Sequence, residues 1–218
     1  LHRRRHSFPT RRSSDLQLGI QKVARESGGL NIIPTAALHA ATRSLCAPNI
    51  FRTSYTSYQL TRGLGSALLA KGLKKVVWIS WKYTAGEEML EGFKEGFVPQ
   101  GGVITKELWA PFPSVEFQAL LTEIAALKPD AVACFFAGAG AAKFMKDYAA
   151  AGLKNKIPLY GAGTLTEGTL EAAGAAAEGR GHHHALQRCA RYAKKQGLSL
   201  SLCQKIQATT RCLRRTRL

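Results

Sequence analysis

Between residues 17 and 179, short apolar runs alternate with stretches in which apolar residues return every three or four positions. Leu18 to Glu26 has Ile20, Val23 and Ala24 at helical spacing, and Gly28-Gly29 closes that helix. Leu30 to Ile33 reads as a short strand ended by Pro34, and Ile50 to Thr53 as another. Tyr58 to Ala70 predicts a helix with Leu60, Leu64 and Leu68 on one face. Lys75 to Trp81 (KVVWISW) is β-branched and apolar without alternation, which predicts a strand buried on both faces, as in parallel sheets. Glu87 to Phe97 follows as a helix, with Leu90, Phe93 and Phe97 in line and Glu87, Glu88, Glu91 and Glu95 largely outside. Val103 to Leu108 is the next strand. Ser114 stands where it can cap a helix whose stripe is Phe117, Leu120, Leu121, Ile124 and Leu127, with Pro129 just past its end. Ala131 to Phe136 is a second fully apolar strand, Ala139 to Ala151 a helix stopped by Gly152, and Pro158 to Tyr160 a further strand.

The order is therefore β-α-β-α-β-α-β over roughly residues 75–175, and right-handed crossovers make this an α/β fold: an open, mostly parallel sheet with helices on both faces. Such sheets bind ligands at the carboxyl ends of their strands. That singles out Trp81, Lys82 and Tyr83; Ala110 to Pro113; Phe135 to Gly140; and Tyr160 to Thr164.

Charge changes the picture only at the ends. Residues 1–16 carry a net +4 and residues 180–218 a net +10, while the middle is only +3. The overall excess of 31 Lys+Arg over 14 Asp+Glu therefore does not argue for a nucleic-acid or acidic-membrane partner of the folded part. No run of eighteen apolar residues is present to span a membrane. The start, LHRRRHSFPTRRSSDL, has no apolar run of a secretory signal, and His6 to Leu16 resembles one reading frame of a sequencing-adapter oligonucleotide. Residues 1–16 are read as a non-native segment.

The tail from Arg180 is acid-free. One extra nucleotide after the Gly179 codon, with permitted synonymous codons, turns Arg180 to Leu198 into VVTTTHYSDALDTPKNKAF and Cys203 to Leu218 into AKKYKPRPDVYAVQGY. The recovered text has Asp, Pro and Tyr in globular proportions, so residues 180–218 are expected to be a disordered frameshift product. The His182-His183-His184 tract, Cys189, Cys203 and Cys212, and the cluster Arg211, Arg214, Arg215 and Arg217 then carry no metal or phosphate role.

Catalytic signatures are missing from the middle: no Gly-x-Ser-x-Gly elbow, no Walker loop and no His-Glu-x-x-His. Its one histidine, His39, reads as a solvated loop residue. Gly138-Ala-Gly140-Ala-Ala-Lys143 follows a strand and opens a helix like a dinucleotide fingerprint, but Lys143 stands where the third small residue belongs. The alternative is a turn that lets helix and strand approach closely. Glu87 and Glu88 read as carboxylates favoured by a helix start rather than as an acid–base pair. Cys134 reads as a small buried hydrophobe, and Cys46 is left without an assignable disulfide partner. Aromatic density at the strand ends (Trp81, Tyr83, Phe135, Phe136, Tyr160) suits either core packing or a small-molecule pocket. No catalytic residue, metal or cofactor is assigned.

Four stretches carry a resemblance: Pro48 to Thr53 (PNIFRT), 74–97 (KKVVWISWKYTAGEEMLEGFKEGF), 117–154 (FQALLTEIAALKPDAVACFFAGAGAAKFMKDYAAAGLK) and 157–179 (IPLYGAGTLTEGTLEAAGAAAEG). Together they resemble the periplasmic substrate-binding proteins of branched-chain amino acid ABC transporters, the type I leucine-binding-protein family, over residues 17–179. The resemblance implies two α/β lobes that close about a hinge on a ligand. Residues 17–60 would be the end of the first lobe and 61–179 most of the second; the signal peptide, the start of the first lobe and the last part of the second are expected to be missing, among which a partner for Cys46 could lie. It further implies a non-enzymatic, periplasmic protein that works with the transporter's membrane subunits. Ligand contacts carry over to Thr35, Ala36 and Ala37 in the first lobe, and to Trp81, Tyr83, Phe135, Phe136, Ala137, Gly138, Tyr160, Gly161 and Gly163 in the second. Aliphatic amino acid binders of this family hold the ammonium with an acidic side chain in the last of these loops, where this chain has Gly161-Ala-Gly163, with Glu167 only later. A buried ammonium needs a paired charge or several acceptors, which counts against strict amino acid specificity. The expected ligand is an amino acid or a similar small carboxylate, and the aromatic strand ends suit an aromatic one. A receptor's sensing domain with the same fold is the rival reading, and a nucleotide-dependent α/β enzyme a third.

Overall fold

The computed structural model describes residues 14–166 and 168–177. The tail with its histidine, cysteine and arginine clusters, Glu167, and the adapter-like segment up to residue 13 lie outside the described residues. Ser14, Asp15 and Leu16, the last residues of the segment read as non-native, form the first turn of α1 (Ser14–Ser27). The helix also turns a different face inward than its apolar spacing suggests. Ser14, Gln17, Gln21 and Ala24 are buried, whereas Ile20 and Val23 are exposed. The reason is polar: the Gln21 amide donates to the carbonyls of Ala41, at 2.9 Å, and Leu45.

A small parallel sheet follows, β1 (Asn31–Ile33) beside β2 (Ile50–Arg52), over a core of Ile33, Ala36, Leu38, Ala41 and Ile50. Next comes α2 (Ser57–Leu69), started by a reciprocal cap between Thr56 and Gln59. Its most buried stripe is Ser57, Thr61, Gly65 and Leu68, while the expected Leu60 and Leu64 are only half-buried. The correction has a steric cause. α3 (Thr84–Phe97) crosses so close that a Cβ on Gly96 would lie 1.9 Å from the Arg62 carbonyl oxygen, and one on Gly92 2.3 Å from that of Tyr58. Leucines do not fit between backbones at that distance.

The main sheet holds β3 (Lys75–Lys82), β4 (Val103–Pro111), β5 (Ala131–Phe135) and β6 (Leu159–Gly161), all parallel, in the order β4-β3-β5-β6. Along β3, Val76 and Trp78 face α2 and α3 with Met89, Leu90, Phe93 and Phe97. Val77, Ile79 and Trp81 face the other way, toward α4 (Gln118–Leu127) and α5 (Gly138–Ala150), with Phe117, Leu121, Ile124, Phe144 and Met145. Two covered faces explain why the strand shows no alternation of apolar and polar residues. The short α6 (Leu170–Ala173) packs against α5. Ser114 does not cap α4. Its hydroxyl accepts from the Glu116 amide at 3.3 Å, its carbonyl is taken by Trp81, and the helix opens after Phe117. Among the described residues no helix is long and apolar enough to cross a membrane, and no cluster of metal-ligating side chains is present.

Candidate functional site

Strand order reverses between β3 and β5: β4 lies on one side of β3, while β5 and β6 lie on the other. The crevice at the carboxyl ends of β3 and β5 is where a sheet of this kind receives a ligand. Tyr83, in extended backbone just before α3, stands there half-buried. Its ring stacks on Phe112 (centroids 4.7 Å, 22°) and on Phe135 (6.1 Å, 20°), so three rings line up across the ends of β4, β3 and β5. Burial, followed by the nearby Asp15 carboxylate, pushes the Tyr83 hydroxyl above its ordinary range, so it stays a neutral donor.

Trp81 and Phe136 point into the core instead. Trp81 meets Phe112 and Phe136 edge to face, and its indole N–H donates to the Ser114 carbonyl at 2.7 Å. Phe136 is fully enclosed with Phe117 and Phe144. Gly140 explains the fingerprint-like glycines: a Cβ there would lie 2.4 Å from the Trp81 ring, so the residue lets helix and strand approach. Ala137 precedes α5 in extended backbone, and Gly138, exposed and at φ +56°, opens it.

At the end of β6, Tyr160 is buried beneath the Lys71 ammonium, 5.6 Å from the ring centre. Gly161 is half-buried and leads through buried Ala162 into the turn Gly163–Leu165. There the Thr164 hydroxyl oxygen is buried with no hydrogen-bond partner among the described residues. Phe112 and Thr164 lie in the strand-end stretches Ala110 to Pro113 and Tyr160 to Thr164 that the sequence singles out, but not among the contacts that the resemblance carries over. Phe112 follows a strand whose apolar run ends early in the sequence, and an orphaned hydroxyl is visible only once its surroundings are known.

The loop Thr35–Ala37 leaves β1 with Thr35 exposed, Ala36 buried and Ala37 half-buried. Two of its carbonyls are already occupied: Arg52 donates to Ala36 at 2.8 Å and the Ser57 amide to Ala37 at 2.7 Å. Next to it, His39 is held rather than solvated. Its ring stacks on Tyr58 at 4.6 Å, and Nδ1 lies 3.2 Å from the Thr56 hydroxyl. Burial, and then Arg43, lower its pKa. Glu88 is likewise not on the outer face of α3: it is buried and accepts the backbone N–H groups of His39 and Ala40. Glu87 remains exposed in the helix's first turn, as a dipole-favoured carboxylate should. The strand ends thus offer aromatic rings and the hydroxyls of Tyr83 and Thr164.

Residues 12–181 match the family model described as periplasmic binding protein. The chain belongs to that family. It is a family of binding proteins, not of enzymes. Among solved structures, the chain is similar to a solute-binding protein of an ABC transporter from R. palustris in complex with benzoate, with 51% identity and a TM-score of 0.73. That likeness covers 76% of this chain and 46% of the other. A second is a solute-binding protein of an ABC transporter from Rhodopseudomonas palustris BisB5 in complex with 3,4-dihydroxybenzoic acid (29% identity, TM-score 0.71, 85% of this chain and 54% of that one). A curated relative from Brucella melitensis, Leu/Ile/Val-binding protein homolog 6, is 32% identical over 139 residues, 62% of this chain and 36% of the relative. The chain thus spans about half the length of these relatives, or less.

Proposed function

We propose that this chain is part of the extracytoplasmic solute-binding component of an ABC transporter and that its ligand is an aromatic carboxylate. Residues 17–60 then belong to one lobe and 61–179 to the other. The ligand lies between the Thr35–Ala37 loop and the strand ends carrying Tyr83, Phe135, Ala137, Gly138, Gly161 and Gly163. Trp81, Phe136 and Tyr160 support that wall from behind. The transporter's membrane subunits are the partner, and the periplasm is the compartment.

One observation carries the ligand class: the Phe112–Tyr83–Phe135 ring stack at the switch point, with Phe112 half exposed. Flat apolar walls with a few fixed donors suit a benzoate-like ring. The Thr164 hydroxyl, without a hydrogen-bond partner among the described residues, is a donor for a carboxylate. The loop after β6 has no acid from Gly161 to Thr166 to neutralise an ammonium, which a buried amino acid would need. Both solved relatives named above were captured with benzoates. The name of the Brucella relative favours a second reading, a branched-chain amino acid.

Titration calorimetry of the gene product at its relatives' full length decides between them. Benzoate and 4-hydroxybenzoate should bind and leucine should not, and Tyr83→Ala should weaken benzoate about tenfold, the worth of one ring-stacking contact. Leucine binding with benzoate ignored would overturn the aromatic reading.

A further inference from the structure

The segment Ala36–Ala40 is gripped from two sides by opposite charges. From the end of β2, the Arg52 guanidinium donates to the carbonyls of Ala36, at 2.8 Å, and Leu38, and to the Thr42 hydroxyl at 3.2 Å. From α3, the Glu88 carboxylate accepts the His39 amide at 2.8 Å on each oxygen and the Ala40 amide at 3.2 Å. The cation meets carbonyls and the anion meets N–H groups, so each charge faces the matching end of the peptide dipoles. Glu88 is only 8% exposed, and a carboxylate inside a helix packing face costs stability unless donors compensate it. Hydrophobic packing gives no reason for it. The link joins residues 49 apart in sequence, and it ties the part built on β1 and β2 to the helix that begins behind Tyr83.

We propose that Glu88 is a positioning residue: with Arg52 it fixes the Thr35–Ala40 segment against α3 and so sets the spacing between that loop and the Tyr83 end of β3. Glu88 lies one helical turn past the start of α3, about 6 Å along the axis, so its grip acts at the mouth of the crevice. This inference concerns the protein's own geometry, and its test uses no ligand, so it stands or falls apart from the identity of the solute.

The clasp should depend on pH. Facing Glu88 and its partners are His39, Arg43 and Arg52 from the gripped segment and its neighbours, the Ser57 hydroxyl from α2, and Glu91 and Glu95 from α3. Asp15 of α1 is tied to Thr84 at the start of α3. Burial raises the Glu88 carboxyl above its ordinary value more than the His39 and Ala40 amides and Ser57 lower it. A group raised in the clasped state favours that state below its open-state value and loses that contribution as pH rises through the raised value. His39, lowered by burial and Arg43, acts in the opposite sense on the acid side, so the comparison that isolates Glu88 is wild type against Glu88→Gln.

Amide hydrogen exchange of the whole chain, read by NMR as protection factors between about pH 4 and 8, tests this. Glu88→Ala should lower protection of His39 and Ala40 about tenfold or more, with Val77 and Ile79 of β3 unchanged. Glu88→Gln, which keeps an acceptor, should restore protection but lack the wild-type fall with rising pH. Unchanged His39 and Ala40 protection in Glu88→Ala overturns the proposal. If Glu88→Ala loosens β3 as well, the pH profiles decide alone: superimposable wild-type and Glu88→Gln curves overturn it.

Discussion

At Trp81 the chain spends a residue of the expected binding wall on its core. The indole is closed in by Phe136, Phe112 and the bare face of Gly140, and its N–H is satisfied by the Ser114 carbonyl. Gly140→Ala places a methyl 2.4 Å from that ring and should destabilise the chain by about 1–3 kcal/mol, read as a lower urea midpoint at unchanged slope. The two described cysteines should differ in reactivity. Cys134 is fully buried, which raises its thiol pKa, whereas Cys46 is exposed. Mass mapping after brief treatment of the native chain with a thiol reagent should find Cys46 modified and Cys134 intact; early labelling of Cys134 would mean that β5 is not buried.

At the scale of elements, the pairing of α2 with α3 rests on what is missing from it. Gly65, Gly92 and Gly96 let the backbones meet, and Thr61 donates its hydroxyl to the Met89 carbonyl at 2.6 Å across the crossing. In an isolated helix Gly→Ala gains about 1 kcal/mol of propensity. At Gly96 the clash with the Arg62 carbonyl should outweigh that gain and leave a net loss of about 1–2 kcal/mol. At Gly19, inside α1 with nothing within 4 Å of an added Cβ, the same change should stabilise by up to about 1 kcal/mol. Parallel urea titrations of the two variants check both signs. Equal shifts would show that close packing is not what the glycines of α2 and α3 serve.

For the whole molecule, the sheet order β4-β3-β5-β6 matters most, because it places the switch point beside Tyr83. The family match ends at residue 181, close to where the acid-free tail begins. Sequencing the source DNA across the Gly179 codon should show one surplus base; an uninterrupted frame would return the tail to the protein. The chain should show no thermal shift with a panel of aliphatic amino acids, since the loop after β6 has no acid from Gly161 to Thr166 for an ammonium; a shift of several degrees with leucine would contradict the aromatic reading. The apolar runs by themselves determined β3, β5, the helices between them and the parallel α/β class, because a strand covered on both faces leaves no polar alternation. Which aromatic residue faces the crevice and which the core, why small residues rather than leucines fill the α2–α3 crossing, and why Glu88 points inward were decided only by the tertiary structure. Each depends on atoms far away in sequence: the carbonyls of Arg62 and Ser114, and the amides of His39 and Ala40. Periodicity records how often a position is buried, and it carries no information on the partner that buries it.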